Sequence, residues 1–199
     1  MRINKIGLII LSSIFMLAQG CAQQSSRTSN HFYLLNSNSQ AISKNNSTHV
    51  LGIRPVTVAN YINNSGIALQ TSSNKIVIAN HHLWAEQPSL AVTRVLHSEL
   101  NTLLTKSRVD NGQFGSRDDW QYILTTHVDQ FHGTENGQAI LSGYWQLESK
   151  NSVIVNQRFN LSAPIDEPGY ASLVNQLQQL LSQLALKQAE QISIKTDQE

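Results

Sequence analysis

From Pro88 onward the apolar side chains Val92, Val95, Leu96, Leu100, Leu103 and Leu104 recur at helical spacing, so one face of a helix is predicted to pack on other structure. Pro88 suits the first turn, where its missing N–H has no intrahelical partner to lose. A second stripe of Leu173, Val174, Leu177, Leu180, Leu181 and Leu184 predicts a longer helix near the end of the chain. That spacing also permits a coiled coil, but a face turned toward the core is the commoner origin of such a stripe. Residues Lys195 to Glu199 are expected to fray.

Between the helices the period changes from 3.6 to 2. Trp120, Tyr122, Leu124, Thr126 and Val128 are predicted to share one face of a strand, and Ala139, Leu141, Gly143, Trp145 and Leu147 one face of the next. Residues Gly133 to Gly137 supply the turn, and a third strand over about Val153 to Leu161 completes an antiparallel meander. Pro164 to Pro168 should end the sheet. Before the first helix, Gly66 to Thr71 and Lys75 to Ala79 flank Ser72-Ser73-Asn74 as a hairpin. His31 to Leu35 forms a short first strand, Asn36 to His49 a polar loop, and Val50 to Val58 a strand interrupted at Pro55. Strands, helix, strands and helix without regular βαβ alternation give an α+β fold, in which two amphipathic helices pack on a mainly antiparallel sheet as a single-domain sandwich.

Ahead of this pattern, Arg2 and Lys5 precede an uncharged, mostly apolar run from Ile6 to Ala18. As a helix that run spans roughly 20 Å, short of a hydrocarbon core of about 30 Å, so residues 1–20 are expected to be a cleaved secretory signal. Leu17-Ala18-Gln19-Gly20 leads into Cys21, the only cysteine, and resembles a bacterial lipobox. Gln19 departs from the usual small residue. Acylation of Cys21 would remove a thiol that has no disulfide partner in an oxidising compartment. By the sorting rule of enteric-type bacteria an aspartate after the cysteine retains a lipoprotein in the inner membrane, so with Ala22 there the outer membrane is the expected destination. Residues 21–30 form the lipidated cysteine and a polar tether, residues 31–194 the folded domain, and 195–199 a tail.

The formal net charge is +1, and only 14% of residues are charged. No Lys/Arg cluster could neutralise a run of phosphates, which argues against a nucleic-acid partner. No nucleophile elbow, phosphate loop or zinc-protease signature is present, so no catalytic residues, metal or cofactor are assigned. His81, His82 and Glu86 come nearest to a ligand set, but adjacent histidines on a strand point to opposite faces. Glu86, just before a helix, is expected to meet unpaired N–H groups and the positive end of the dipole. Trp84 is either a core anchor or a partner contact, the core role being preferred.

These residues carry a resemblance. Tyr33-Leu34-Leu35, the block Leu51-Gly52-Ile53-Arg54-Pro55-Val56-Thr57-Val58 leading to Tyr61-Ile62, and His82-Leu83-Trp84-Ala85-Glu86-Gln87-Pro88 before a helix resemble the ABC-type transport auxiliary lipoproteins. Trp145-Gln146-Leu147, Phe159 and Tyr170-Ala171-Ser172-Leu173-Val174 follow in the expected order. This is the MCE-associated family that includes paraquat-inducible protein C. The resemblance implies a non-enzymatic, outer-membrane lipoprotein on the periplasmic face. It would dock on an MCE-domain membrane protein in transport of lipid between two membranes. His82, Trp84 and Glu86 are its most specific block, as candidate partner contacts or structural residues. Two alternatives stay open: a lipid-binding module with its own apolar pocket, and an interaction lipoprotein of another envelope machine such as cell-wall synthesis. A homo-oligomer is compatible with all three.

Overall fold

In the computed structural model, the described residues are 29–37, 47–113, 118–149 and 152–196. The expected signal (1–20), Cys21, most of the expected tether and residues 197–199 lie outside them. The elements run β1 (His31–Tyr33), β2 (His49–Ile53), β3 (Thr57–Val58), β4 (Gly66–Ser72), β5 (Lys75–Trp84), α1 (Pro88–Leu103), β6 (Ser107–Asn111), β7 (Tyr122–Thr134), β8 (Gln138–Ser149), β9 (Ser152–Pro164) and α2 (Tyr170–Thr196). The α+β class with two helices on a mainly antiparallel sheet is what the periodicity predicts. Helix α2 continues through Lys195, where fraying is expected, and ends at Thr196.

Strand β7 organises the sheet. One of its edges pairs antiparallel with β8 along the whole strand, and β8 pairs in turn with β9. The other edge is shared by three short parallel partners: β2 at Tyr122 to Leu124, β3 at His127 and Val128, and β4 at Gly133 and Thr134. Pro55 explains why β2 and β3 are separate, since proline cannot donate to a ladder. At that break the Val56 N–H turns away and donates to Thr93 Oγ1 of α1 at 2.9 Å.

Tyr122, Leu124, Thr126 and Val128 are buried at alternate positions, as predicted, and the next buried apolar residue is Phe131. A bulge between Val128 and Gln130 shifts the parity, so that Phe131 faces the core opposite Leu141. Across the ladder Ala139, Leu141, Trp145 and Leu147 are buried without interruption. Helix α2 lies over β7, β8 and β9, with Leu173, Leu177, Leu180, Leu181 and Leu184 sealed against them. Helix α1 packs beside α2 and buries Val92, Val95, Leu96 and Leu100. Leu103, predicted on this stripe, is exposed, because the helix ends there and the chain turns Leu104 into the core instead.

Trp120 departs from its predicted face. The strand begins only at Tyr122, so its alternation does not bind Trp120. The indole covers Gly52, which lies between the core-facing Leu51 and Ile53 and so looks out on the other side of the sheet. A Cβ on Gly52 would sit 1.9 Å from Trp120 Cδ2. Gly52→Val must therefore displace the indole and is expected to cost about 1 to 3 kcal/mol, as overpacking does. Thermal unfolding of the variant measures this, and an unchanged midpoint would contradict the role given to Gly52.

Strand β6 is not among the elements that the apolar pattern predicts. Ser-Arg-Val-Asp-Asn lacks an apolar alternation, and its pairing is a parallel edge contact with β2.

Candidate functional site

The block from His82 to Pro88 ends β5 and opens α1, so its side chains sit where the first strand, the central strand and both helices meet. Backbone pairing fixes the position: β1 runs parallel to β5, with His31 opposite His82 and Tyr33 opposite Trp84. The Trp84 N–H donates to the Ser65 carbonyl at 2.7 Å.

Alternation sends the neighbours apart. His81 is exposed and its Nδ1 lies 3.1 Å from Asn30 Oδ1. His82 turns the other way, stacking on Tyr170 of α2 at 4.0 Å between ring centroids and on His31 at 5.3 Å. Its Nδ1 is 2.9 Å from the Tyr33 hydroxyl. His82 thus ties the first strand to the start of the last helix. Among the described residues, no group of three His, Cys, Asp or Glu side chains is arranged to hold a metal ion.

Trp84 is 7% exposed and stacks on Phe131, with centroids 5.8 Å apart and planes 24° off parallel. Glu86 does not serve the helix terminus as expected. The N-cap is Gln87, without a side-chain cap, and Glu86 pairs with Arg94, two turns into α1. A full guanidinium charge attracts a carboxylate more strongly than the partial charge at a helix end. Arg94 also donates to the Leu35 carbonyl at 2.7 Å, so this pair clasps the segment after β1 to α1. His82 therefore packs along the first strand, and the Glu86–Arg94 pair holds the segment just after it.

Next to the His82 stack, Tyr170 also borders an open groove of about 550 Å³. Leu69, Ile165, Pro168, Tyr170 and Leu173 supply its apolar surface, and Glu135, Asp166 and Glu167 its charges. The turn before α2 depends on Gly169, whose φ of +125° lies in the region that favours glycine. The predicted site residues did not include this groove. Its contributors come from three distant segments, and only Tyr170 and Leu173 belong to the resemblance motifs.

On the other face of the sheet, the bulge in β7 presents Asp129 between His127 Nε2 at 3.4 Å and Arg158 Nη2 at 3.2 Å. The Tyr61 hydroxyl donates to the Asp129 carbonyl at 3.2 Å. Burial pushes the Tyr61 phenol from 10.0 up to about 12, and the Asp129 carboxylate adds to the rise. Between those values the unfolded chain releases a proton that the folded chain keeps. The stabilisation is complete below about pH 10 and is lost as pH rises through about 12. Melting temperature should accordingly fall less over this range in Tyr61→Phe than in the parent chain. Equal slopes would contradict the assignment.

With this geometry in place, likeness to known proteins is informative. Residues 33–189 match the family model of the ABC-type transport auxiliary lipoprotein component. The chain is 33% identical over 143 residues to the intermembrane transport lipoprotein PqiC of Escherichia coli K12, covering 72% of this chain and 74% of PqiC. The PqiC of Shigella flexneri matches equally. A crystal structure of an uncharacterized protein superposes with a TM-score of 0.73 at 27% identity, covering 82% of this chain and 99% of the other. A Xanthomonas campestris protein shares the fold, with a TM-score of 0.68 at 14% identity over 84% of this chain and 97% of its own. The family match takes in the whole stretch from Tyr33 through the groove and most of α2, and the chain belongs to the ABC-type transport auxiliary lipoprotein family.

Proposed function

We propose that this protein is an accessory lipoprotein of an intermembrane transport system, docking through its folded domain on an MCE-domain membrane protein. The observation that carries this reading is 33% identity to PqiC, an intermembrane transport lipoprotein, over 143 residues. Acylation at Cys21 anchors the chain on the periplasmic face of the outer membrane. The apolar run before Cys21 and the small residues flanking it support that anchor. Several acyl chains hold a protein on a bilayer where a single chain binds only marginally. Among the described residues, no helix is long and apolar enough to cross a membrane.

The domain contributes binding, and no catalytic step is assigned to its residues. The test is affinity isolation of the tagged full chain from crosslinked envelopes. An MCE-domain protein is the expected major partner. Recovery of cell-wall synthesis proteins in its place would transfer the chain to another envelope machine.

A further inference from the structure

We propose that the groove at the start of α2 binds a peptide segment of a protein partner, one whose apolar side chains are flanked by lysine or arginine. This inference rests on the docking role proposed above and assigns it a place and a chemistry.

The groove has an apolar floor and an acidic rim. Leu69 and Leu173 close together over Gly133, where an added Cβ would lie 2.8 Å from Leu173 Cδ2 and 3.0 Å from Leu69 Cδ1. Ile165, Pro168 and Tyr170 extend that floor along the turn into α2. Its volume of about 550 Å³ lies in the range of clefts that engage ligands. A few apolar side chains would be desolvated there.

Charge selects the occupant. Glu135, Asp166 and Glu167 line the groove, and no lysine or arginine is among the described residues that do. Asp166 accepts a hydrogen bond from Gln176 Nε2 at 2.9 Å, while Glu135 and Glu167 are exposed. This local acidity stands out in a chain whose net charge is +1. A phospholipid seated by its acyl chains would bring its phosphate against these carboxylates, like charge to like. A segment with lysine or arginine beside its apolar residues gains on both counts, since complementary charge guides the encounter and the floor holds the complex.

The test uses the full chain in its native envelope, with a photo-crosslinking residue at Pro168 and, separately, at Arg158, which is 80% exposed away from the groove. Asn136, next to the rim, serves as a second groove position should the Pro168 variant fail to fold. A groove probe is expected to capture the MCE-domain protein through a segment in which lysine or arginine neighbours apolar residues. The double variant E135Q/E167Q should reduce that capture roughly 2- to 30-fold, the effect of losing two exposed ion pairs. Capture of the MCE protein at Arg158 but not in the groove would overturn this inference and leave the docking role standing. A phospholipid adduct alone at the groove positions would overturn it in favour of a lipid site. Failure of every probe, together with no co-isolation of an MCE protein, would sink the docking role and this inference with it.

Discussion

Replacing Trp84 with alanine is expected to destabilise the folded chain by about 3 to 5 kcal/mol, the range for truncating a large buried aromatic. For a domain of this size that corresponds to a fall of roughly 6 to 20 °C in melting temperature. The expectation follows from its surroundings. Trp84 is 7% exposed and lies on Phe131, a residue that the β7 bulge turns into the core. It also terminates the strand that pairs with β1, so a cavity here loosens both the centre of the sheet and its first strand. Partner binding would then weaken through lower abundance of folded protein. An interface hot spot behaves differently: the alanine variant keeps its melting temperature and loses its partner. That second outcome, measured on the full chain by thermal unfolding and co-isolation, would refute the core role.

Replacing Cys21 with serine should have a larger effect in the cell, because it would remove the proposed acyl anchor, which lies ahead of the folded domain. The variant should incorporate no acyl label, accumulate as unprocessed precursor and leave the outer-membrane fraction. The physical reason is the difference between a chain held by several buried acyl groups, each methylene contributing about 0.8 kcal/mol, and one without them. Metabolic labelling with a clickable fatty acid and membrane fractionation check both points. Undiminished labelling and normal processing in Cys21→Ser would exclude this cysteine as the acylation site.

The meander was legible because its periodicity is local. Tyr122 to Val128 and Ala139 to Leu147 alternate in the sequence as they do in the sheet, and the stripe from Leu173 to Leu184 lies where a 3.6 period puts it. Strand β6, which depends on a distant partner, was not legible. Strand β6 exists because β2 offers it an edge, and its residues carry little apolar pattern of their own. Trp120 escapes the alternation because it precedes the strand and covers a glycine on another one.

The site shows the same division. Sequence resemblance singled out His82, Trp84 and Glu86, yet their partners Tyr170, Phe131 and Arg94 lie in three other elements. For Glu86 a local rule about helix ends misled, because Arg94 supplies a full charge in reach of the same carboxylate. Of the groove, only Tyr170 and Leu173 fall in a linear motif. Leu69, Glu135 and Pro168 come together only once β4 has joined β7 and the chain has turned into α2.

The central claim, docking on a transport partner, is tested most directly by binding between two purified components: the full chain extracted from its membrane in detergent and the periplasmic part of the MCE-domain protein proposed as its partner. A saturable complex is predicted, weakened by added salt because acidic residues contribute to it. No complex up to the solubility limit of either protein, with both shown to be folded, would contradict the claim.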